Sequence, residues 1–448
     1  MWKPILDGTL RKEALAAVNA VGSELLCETP GSNFRRLASG SAANFHQRKV
    51  DGSLATGAAG LAIFYTYLSR AQGGYETVAL ELLKKAGAAV SSTRMNRSFF
   101  QGFTGVAWTI AHLREWLLDP DDNSTAGIDR LLLTLLSKSP WKASYDLVSG
   151  LVGFGVYALE QVPKARAIRC LEAVICRLDE IAEHKTHGTT WLRAPHFLPI
   201  VHRNECPQGY YDLGLAHGVP GVIAFLGYVQ SLSRKLSQLG STRHKVRGLL
   251  EGAVSWLLDQ RFVREVRSVF PYWTGPGVTL RPSRVGWCYG DLGIAVSLLN
   301  GASALNNRRW RVEALALAKN VARRPVSYSQ VVDSSLCHGA AGVAHLFNRM
   351  YQATGENFLR DAAREWFERT LAMRRKSSSV AGFFVMARKG KAPPRPVAES
   401  GLLGGAAGVG LALLAATTTI EPAWDRMLLV SVPPSRGPRR SARPGRRA

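Results

Sequence analysis

Seven times along this chain an apolar run begins at a Gly-x-x-Gly tetrad, at 57–60, 102–105, 150–153, 218–221, 290–293, 339–342 and 405–408. The runs, from LAIFYTYL after the first tetrad to VGLALLAA after the last, are apolar on every side, the pattern of a helix buried all round. Between them lie stretches such as AIRCLEAVICRLDEIAEH at 167–184 and VEALALAKNVARR at 312–324, where apolar residues recur every three or four positions among charges. These predict outer helices with one solvated face. The repeating unit is a helical hairpin, so the expected fold is all-α: an α/α toroid, a double ring of seven inner and seven outer helices. In each repeat the first glycine is expected to make a tight turn into the inner helix, and the second to let that helix approach its neighbours. All seven turns should then converge at one end of the central cavity.

Successive tetrads begin 45, 48, 68, 72, 49 and 66 residues apart, room for a second helix each time and for ordered loops in the longer intervals. The two short intervals before Gly150 leave no space there for an inserted substrate-binding subdomain. Length alone suggests about three domains, but the unbroken repeat predicts one toroid over 51–430. Residues 1–50 are expected to hold a helix around Leu10–Leu26 and a basic lead-in. The end, 431–448, carries six arginines and four prolines and reads as a disordered basic tail.

A net charge of +24, six units of it from the last 13 residues, leaves +18 on the rest and favours acidic partners. Nucleic acid is not among them, because neither zinc-finger spacing nor an aromatic-interleaved basic motif occurs. There is no stretch of 18 uninterrupted apolar residues and no signal-peptide core at MWKPILDGTLRKE, so the expectation is a protein without a transmembrane segment, in the cytoplasm or peripheral at the inner membrane face. Six cysteines form no disulfide framework. Cys170 and Cys176 read as core thiols, and Cys27 and Cys206 have no assignment.

Two glycine turns carry chemistry. GWCYG at 286–290 offers Cys288, and CHG at 337–339 offers Cys337 and His338. Two sulfurs and an imidazole suit zinc, one per chain, and three protein ligands leave the fourth tetrahedral position open. An incoming thiol there would lose its proton at neutral pH. Three more polar residues, Asp146 in YDLVSG, His217 in DLGLAHG and Arg284 in RPSRVGW, are read as sharing a rim position in their repeats. His217 is expected to donate a proton, with a fourth metal ligand as the alternative. Asp146 would orient His217 or hold Arg284, or merely cap a helix. Arg284 would stabilise an oxyanion or be a solvated surface charge. Trp287 and Tyr289 flank Cys288 as cavity walls or as plain core, and Tyr210 and Tyr211 are similar cases. His112 and His345 read as structural. His184, His187, His196 and His202 lie in the long 184–216 connection, where a decoy metal site with Cys206 is conceivable.

The strings DLGLAHG, SRVGWCYGDLG, CHGAAGV and GGAAGVGLALL closely resemble those of the lanthionine synthetase C family, the lantibiotic cyclases, over roughly 50–415. The resemblance implies an α/α toroid with one zinc on Cys288, Cys337 and His338, and catalytic roles for Asp146, His217 and Arg284, with Tyr289 beside the metal. The implied reaction is Michael-type addition of a peptide cysteine thiol to dehydroalanine or dehydrobutyrine, forming lanthionine and methyllanthionine rings. The substrate would be a dehydrated precursor peptide supplied by a separate dehydratase, with a peptide exporter as a further partner. The arginine tail at 436–447 is not part of the family pattern.

Other readings are weaker. A prenyltransferase-like enzyme also activates a thiol on zinc in such a toroid, but its ligand pattern pairs Asp with Cys and His. A glycosidase would need paired carboxylates facing the cavity, for which only Asp146, Asp291 and Asp212 are candidates. From a different class, the chain could be a zinc-stabilised peptide-binding scaffold without catalysis.

Overall fold

A computed structural model describes residues 1–27, 51–119, 121–263, 267–388, 390 and 392–432. The basic lead-in, the thiol of Cys27 and the tail from 433 onward lie outside the described residues. In chain order the helices are α1 (Gly8–Cys27), α2 (Ala58–Gln72), α3 (Glu76–Ser92), α4 (Phe103–Leu117), α5 (Ala126–Leu136), α6 (Leu151–Gln161), α7 (Ala165–Glu180), α8 (Ile200–Glu205), α9 (Val219–Ser233), α10 (Arg243–Asp259), α11 (Asp291–Leu305), α12 (Arg308–Arg323), α13 (Ala340–Thr354), α14 (Asn357–Ala372) and α15 (Ala406–Thr417). Three short antiparallel strand pairs occupy the longer intervals: β1 (Glu183–Lys185) with β2 (Gly188–Thr190), β3 (Tyr211–Asp212) with β4 (Trp273–Thr274) across α9 and α10, and β5 (Val385–Ala387) with β6 (Arg395–Val397). No described helix is long and apolar enough to cross a membrane.

Each apolar run is an inner helix. α2, α4, α6, α9, α11, α13 and α15 pack in that order, and α15 returns to α2, closing the ring. The amphipathic helices α3, α5, α7, α10, α12 and α14 lie outside, as the toroid reading expects. α7 stops at Glu180, short of the pattern's end at His184, because Glu183–Lys185 turns back through Gly188 as a hairpin. Among the described residues no outer helix follows the seventh inner helix; α1 takes that place against α15. Ile5 and Leu6 donate backbone N–H groups to the Ala416 carbonyl (2.9 and 3.1 Å), and the Trp2 indole donates to Ala415 O (2.7 Å).

The glycines serve space more than turn geometry. The first glycine of the tetrad has an extended backbone in six repeats and a positive φ, +118°, only at Gly290. What excludes a side chain is the incoming loop: a Cβ on Gly105 would stand 1.8 Å from the carbonyl oxygen of Phe99, six residues earlier, and 2.9 Å from Leu54 Cβ of the preceding repeat. Gly60 likewise meets Leu54 O at 2.4 Å and Leu402 Cβ at 2.9 Å, so the last repeat abuts the first. The seven loops therefore gather at one end of the ring. Backbone hydrogen bonds stitch them together, Ala55 to Phe100, Phe99 to Val148, Ala216 to Cys288, Trp287 to Cys337, Cys337 to Leu403 and Leu402 to Ala55. Among the described residues only the third and fourth loops lack such a link.

The opposite end is closed from within. The tenth residue of six inner helices is polar: Tyr67, His112, Glu160, Tyr228, Asn300 and Arg349. Around this belt runs the segment Trp424–Val430, buried except for Arg426. Asp425 accepts from Arg349 Nη2 (2.8 Å) and meets His345 Nε2 (2.7 Å), Asn300 donates to Leu429 O (3.3 Å), and Tyr228 donates to Ser431 O. His112 lies between Tyr67 (3.1 Å) and Glu160 (2.8 Å) and stacks on Trp108. Both histidines read as structural are thus held in buried polar pairs. Removing the shared anion would strand a buried guanidinium, so Asp425→Ala is expected to destabilise the fold by about 3–5 kcal/mol. Chemical denaturation at neutral pH checks this, and an unchanged midpoint would contradict the pairing.

Candidate functional site

At the loop end, Cys288 enters just ahead of α11 and the pair Cys337–His338 just ahead of α13. Both Trp287 N and Cys288 N donate to Cys337 O (3.0 and 3.3 Å), which holds the two loops side by side. A Cβ on Gly286 would come within 3.1 Å of His338 Cα, so only glycine admits this approach without a shift. One ligand atom each from Cys288, Cys337 and His338 lies within 4.8 Å of the others, the one group among the described residues that could hold a metal ion. A tetrahedral ion with bonds of about 2.0–2.3 Å needs its donors about 3.5–3.8 Å apart, within reach of small side-chain rotations. The donor chemistry fits too. A hydrogen bond from the Cys337 thiol, helped by His338 and the Arg284 charge, outweighs burial and holds the Cys288 thiol well below the ordinary range. Asp333 lies 3.6 Å from His338 Nε2, a carboxylate of the kind that orients a ligand histidine.

Facing this group across the third and fourth loops is a buried ionic network. Asp146 uses both oxygens: Oδ1 accepts from Ser149 N (2.7 Å) and Oγ (3.0 Å), and Oδ2 meets His217 Nδ1 (3.0 Å). Asp146 thus orients His217 and ties the turn ahead of α6, while Gly150, the residue that opens the helix, has no side-chain cap. The side-chain bond spans the gap that the backbone stitching leaves. Burial would raise the Asp146 pKa, but His217 and Arg193 lower it overall. Burial would likewise lower His217, yet the Asp146 hydrogen bond and the Asp146 and Asp212 charges raise it. Arg193 Nη1 sits 3.5 Å from Asp146 Oδ2 and 3.6 Å from Asp212 Oδ2. Asp212 in turn accepts from Tyr289 Oη (2.9 Å), and burial raises the pKa of both groups.

Tyr289 joins the two halves. It follows Cys288 in the chain, and its ring centroid is 5.9 Å from His217 and 5.4 Å from Tyr272. Arg284 donates its backbone N and its Nε to Tyr272 Oη (3.2 and 3.3 Å), and Tyr272 donates to Gln330 (3.1 Å). Arg284 is therefore close enough to act electrostatically on the cysteine pair, while its hydrogen-bond partner is Tyr272, and the arginine beside Asp146 is Arg193.

The shared rim position assumed for Asp146, His217 and Arg284 does not exist: they stand four, one and six residues before the first glycine of their repeats. The register that does recur is the sixth residue before that glycine, occupied by Asp51, Asn96, Ser144, Asp212, Arg284, Asp333 and Glu399. Aligning the repeats on their glycines would have exposed Asp212 and Asp333. Arg193 and Tyr272 lie in the long intervals and carry no such signal.

Other expectations resolve locally. Trp287 is buried, donating to Leu428 O (2.8 Å). Tyr210 and Cys206 pack in a small second core with Leu198, and Tyr211 donates to Glu183 (2.8 Å). His202 lies against Trp273, and the decoy metal group with Cys206 does not form among the described residues. Asp291 is tied to Arg324 and to backbone N–H groups of Val269 and Phe270. Cys170 is buried but Cys176 is exposed, correcting the core-thiol expectation. Two positions past Val174, on the buried stripe of α7, a residue points about 200° away around the helix.

A family model described as lanthionine synthetase C-like protein matches residues 48–429. The nisin biosynthesis protein NisC of Lactococcus lactis subsp. lactis is 24% identical over 290 residues, 56% of this chain; the match spans 62% of that relative's length. The solved structure of a nisin cyclase superposes with a TM-score of 0.67 at 18% identity, covering 85% of this chain and 92% of the other, a likeness of fold. With most of its length matched by the family model, this chain belongs to the lanthionine synthetase C-like family.

Proposed function

We propose that the chain is a zinc-dependent lanthipeptide cyclase, closing thioether rings in a dehydrated precursor peptide. Bound by Cys288, Cys337 and His338, zinc would supply an open position where a peptide cysteine loses its proton near neutral pH. The sulfur then adds to the β-carbon of dehydroalanine or dehydrobutyrine; the C–S bond forms as the alkene π electrons move toward the neighbouring carbonyl. Arg284, fixed by Tyr272, stabilises the enolate oxygen. His217, its Nδ1 held by Asp146, delivers a proton from its other nitrogen to the α-carbon, balancing the proton lost by the thiol. Tyr289 keeps water from the space between. Asp212 and Arg193 hold Tyr289 and the Asp146–His217 pair in register.

The single observation that carries this reading is the 3.0 Å Asp146–His217 contact standing across Tyr289 from the Cys288–Cys337–His338 group. A purely structural metal would have no need of a raised histidine and a held arginine beside it. The dehydratase and exporter implied for such a peptide, and a cytoplasmic or membrane-peripheral location, belong to the same proposal.

The test is to incubate a dehydrated cysteine peptide with the protein and count free thiols by alkylation and mass spectrometry. Loss of alkylatable cysteine at unchanged peptide mass supports the cyclase. Undiminished alkylation with demonstrated peptide binding would leave the scaffold reading in its place.

A further inference from the structure

Arg284 is held at one edge only. Its backbone N and its Nε both donate to Tyr272 Oη (3.2 and 3.3 Å), while its two Nη nitrogens make no hydrogen bond or ion pair among the described residues, and neither is sealed from solvent. A phenol oxygen accepts twice and donates once. With both acceptor sites of Tyr272 taken by Arg284, its proton must point elsewhere, and it goes to Gln330 Oε1 (3.1 Å). The Gln330 amide is itself oriented, because its Nε2 donates to Pro282 O (3.5 Å) and so leaves Oε1 for the phenol. Gln330 stands in a turn with a positive φ, 58°, uncommon for a residue with a side chain. That turn is pinned: Val285, next to Arg284, donates its N–H to Ser329 O (2.8 Å), and Val331 N donates to Ser329 Oγ (3.1 Å). Three residues beyond Gln330, Asp333 opens the loop that carries Cys337 and His338.

We infer that Gln330 is a positioning residue for Arg284: by taking the Tyr272 proton it keeps the phenol oxygen an acceptor, and so fixes the Nε edge of the guanidinium and leaves the Nη edge for the substrate oxygen. The inference rests on the cyclase reading for the role of Arg284. The segment that leads into the metal-capable group thus also aims the oxyanion donor. Without Gln330 a water takes the phenol proton but does not fix its direction. Tyr272 then spends part of its time with its hydrogen toward Arg284, which breaks the hold on Nε.

The full chain, grown with arginine carrying heavy nitrogen, shows the Arg284 Nε–H directly by NMR, its signal assigned by its loss in Arg284→Lys. Gln330→Met keeps the length of the side chain without an acceptor, and is expected to speed hydrogen exchange at that site about threefold to tenfold, the worth of one neutral hydrogen bond. Tyr272→Phe should speed it at least as much, and adding Gln330→Met to Tyr272→Phe should change nothing further, because the second residue acts only through the first. Gln330→Glu, which keeps an acceptor, should leave the proton protected. In ring closure, Gln330→Met should lower kcat by a like factor with KM unchanged, since Gln330 aims a group and binds no substrate. Natural exchange in Gln330→Met would overturn the inference, as would a further increase in the double variant or an unchanged kcat. Should Gln330→Met fail to fold, Gln330→Asn, which suits the left-handed turn and is too short to reach the phenol, takes its place under the same outcomes. Failure of the cyclase reading is separately visible: the natural protein then closes no ring while the exchange pattern stands.

Discussion

On the proposed reading, Cys337→Ala is expected to abolish zinc binding and ring closure together. Among the described residues three donor side chains converge at this site, and removing one leaves two, too few to hold zinc against a chelator. Chelator-washed natural protein is expected to retain about one zinc per chain and the variant almost none, read by elemental analysis. The fold should survive, because the Cys337 backbone, not its sulfur, carries the bonds to Leu403 O and Trp287 N. Cys288→Ala should behave alike. Full zinc content in either variant would refute the ligand assignment, and a folded, zinc-free natural protein would remove the basis of the thiolate mechanism.

His217→Ala should do the opposite, keeping its zinc while turnover falls by about 10²–10⁴, the usual worth of a positioned acid. The pH profile gives the finer test. In the folded protein Asp146 and Asp212 raise the His217 pKa, so imidazolium persists to higher pH than for a free histidine. Activity that needs imidazolium should therefore fall only as pH rises through that raised value. Asp146→Asn removes the nearest negative charge and leaves burial, which favours neutral imidazole, so the alkaline limb should move to lower pH. The same linkage acts on stability: the His217 contribution is complete below the free-histidine pKa and fades as pH rises through the folded one. Zinc loss in His217→Ala, or an alkaline limb unmoved in Asp146→Asn, would contradict the proton-donor role.

Much of the fold was legible because a tetrad repeated seven times leaves few arrangements open. An apolar run that cannot be solvated, preceded by glycines and followed by an amphipathic helix, buries its surface only against copies of itself. The metal-capable group was legible for a similar reason: Cys288, Cys337 and His338 abut repeat glycines, so the ring that gathers the glycines gathers the donors. The pairing of Asp146 with His217 was legible, but by the wrong register; the two meet because the third and fourth loops adjoin, not because their positions correspond. Cys176 was misplaced because a helix with two cysteines was read without tracing its buried stripe.

Local sequence determined the inner helices, the end of the ring at which the loops gather, and the residue types able to hold a soft metal, since each follows from spacing and side-chain chemistry. Tertiary structure alone decided the rest. The first helix stands beside the last inner helix, α15, a pairing between the two ends of the described chain that no local pattern announces. Trp424–Val430 fills the far end because six polar residues at the tenth helical position, four of them buried, require partners. Arg193 falls between Asp146 and Asp212 because two carboxylates brought together out of water require a cation, and nothing periodic in the sequence says which arginine will supply it.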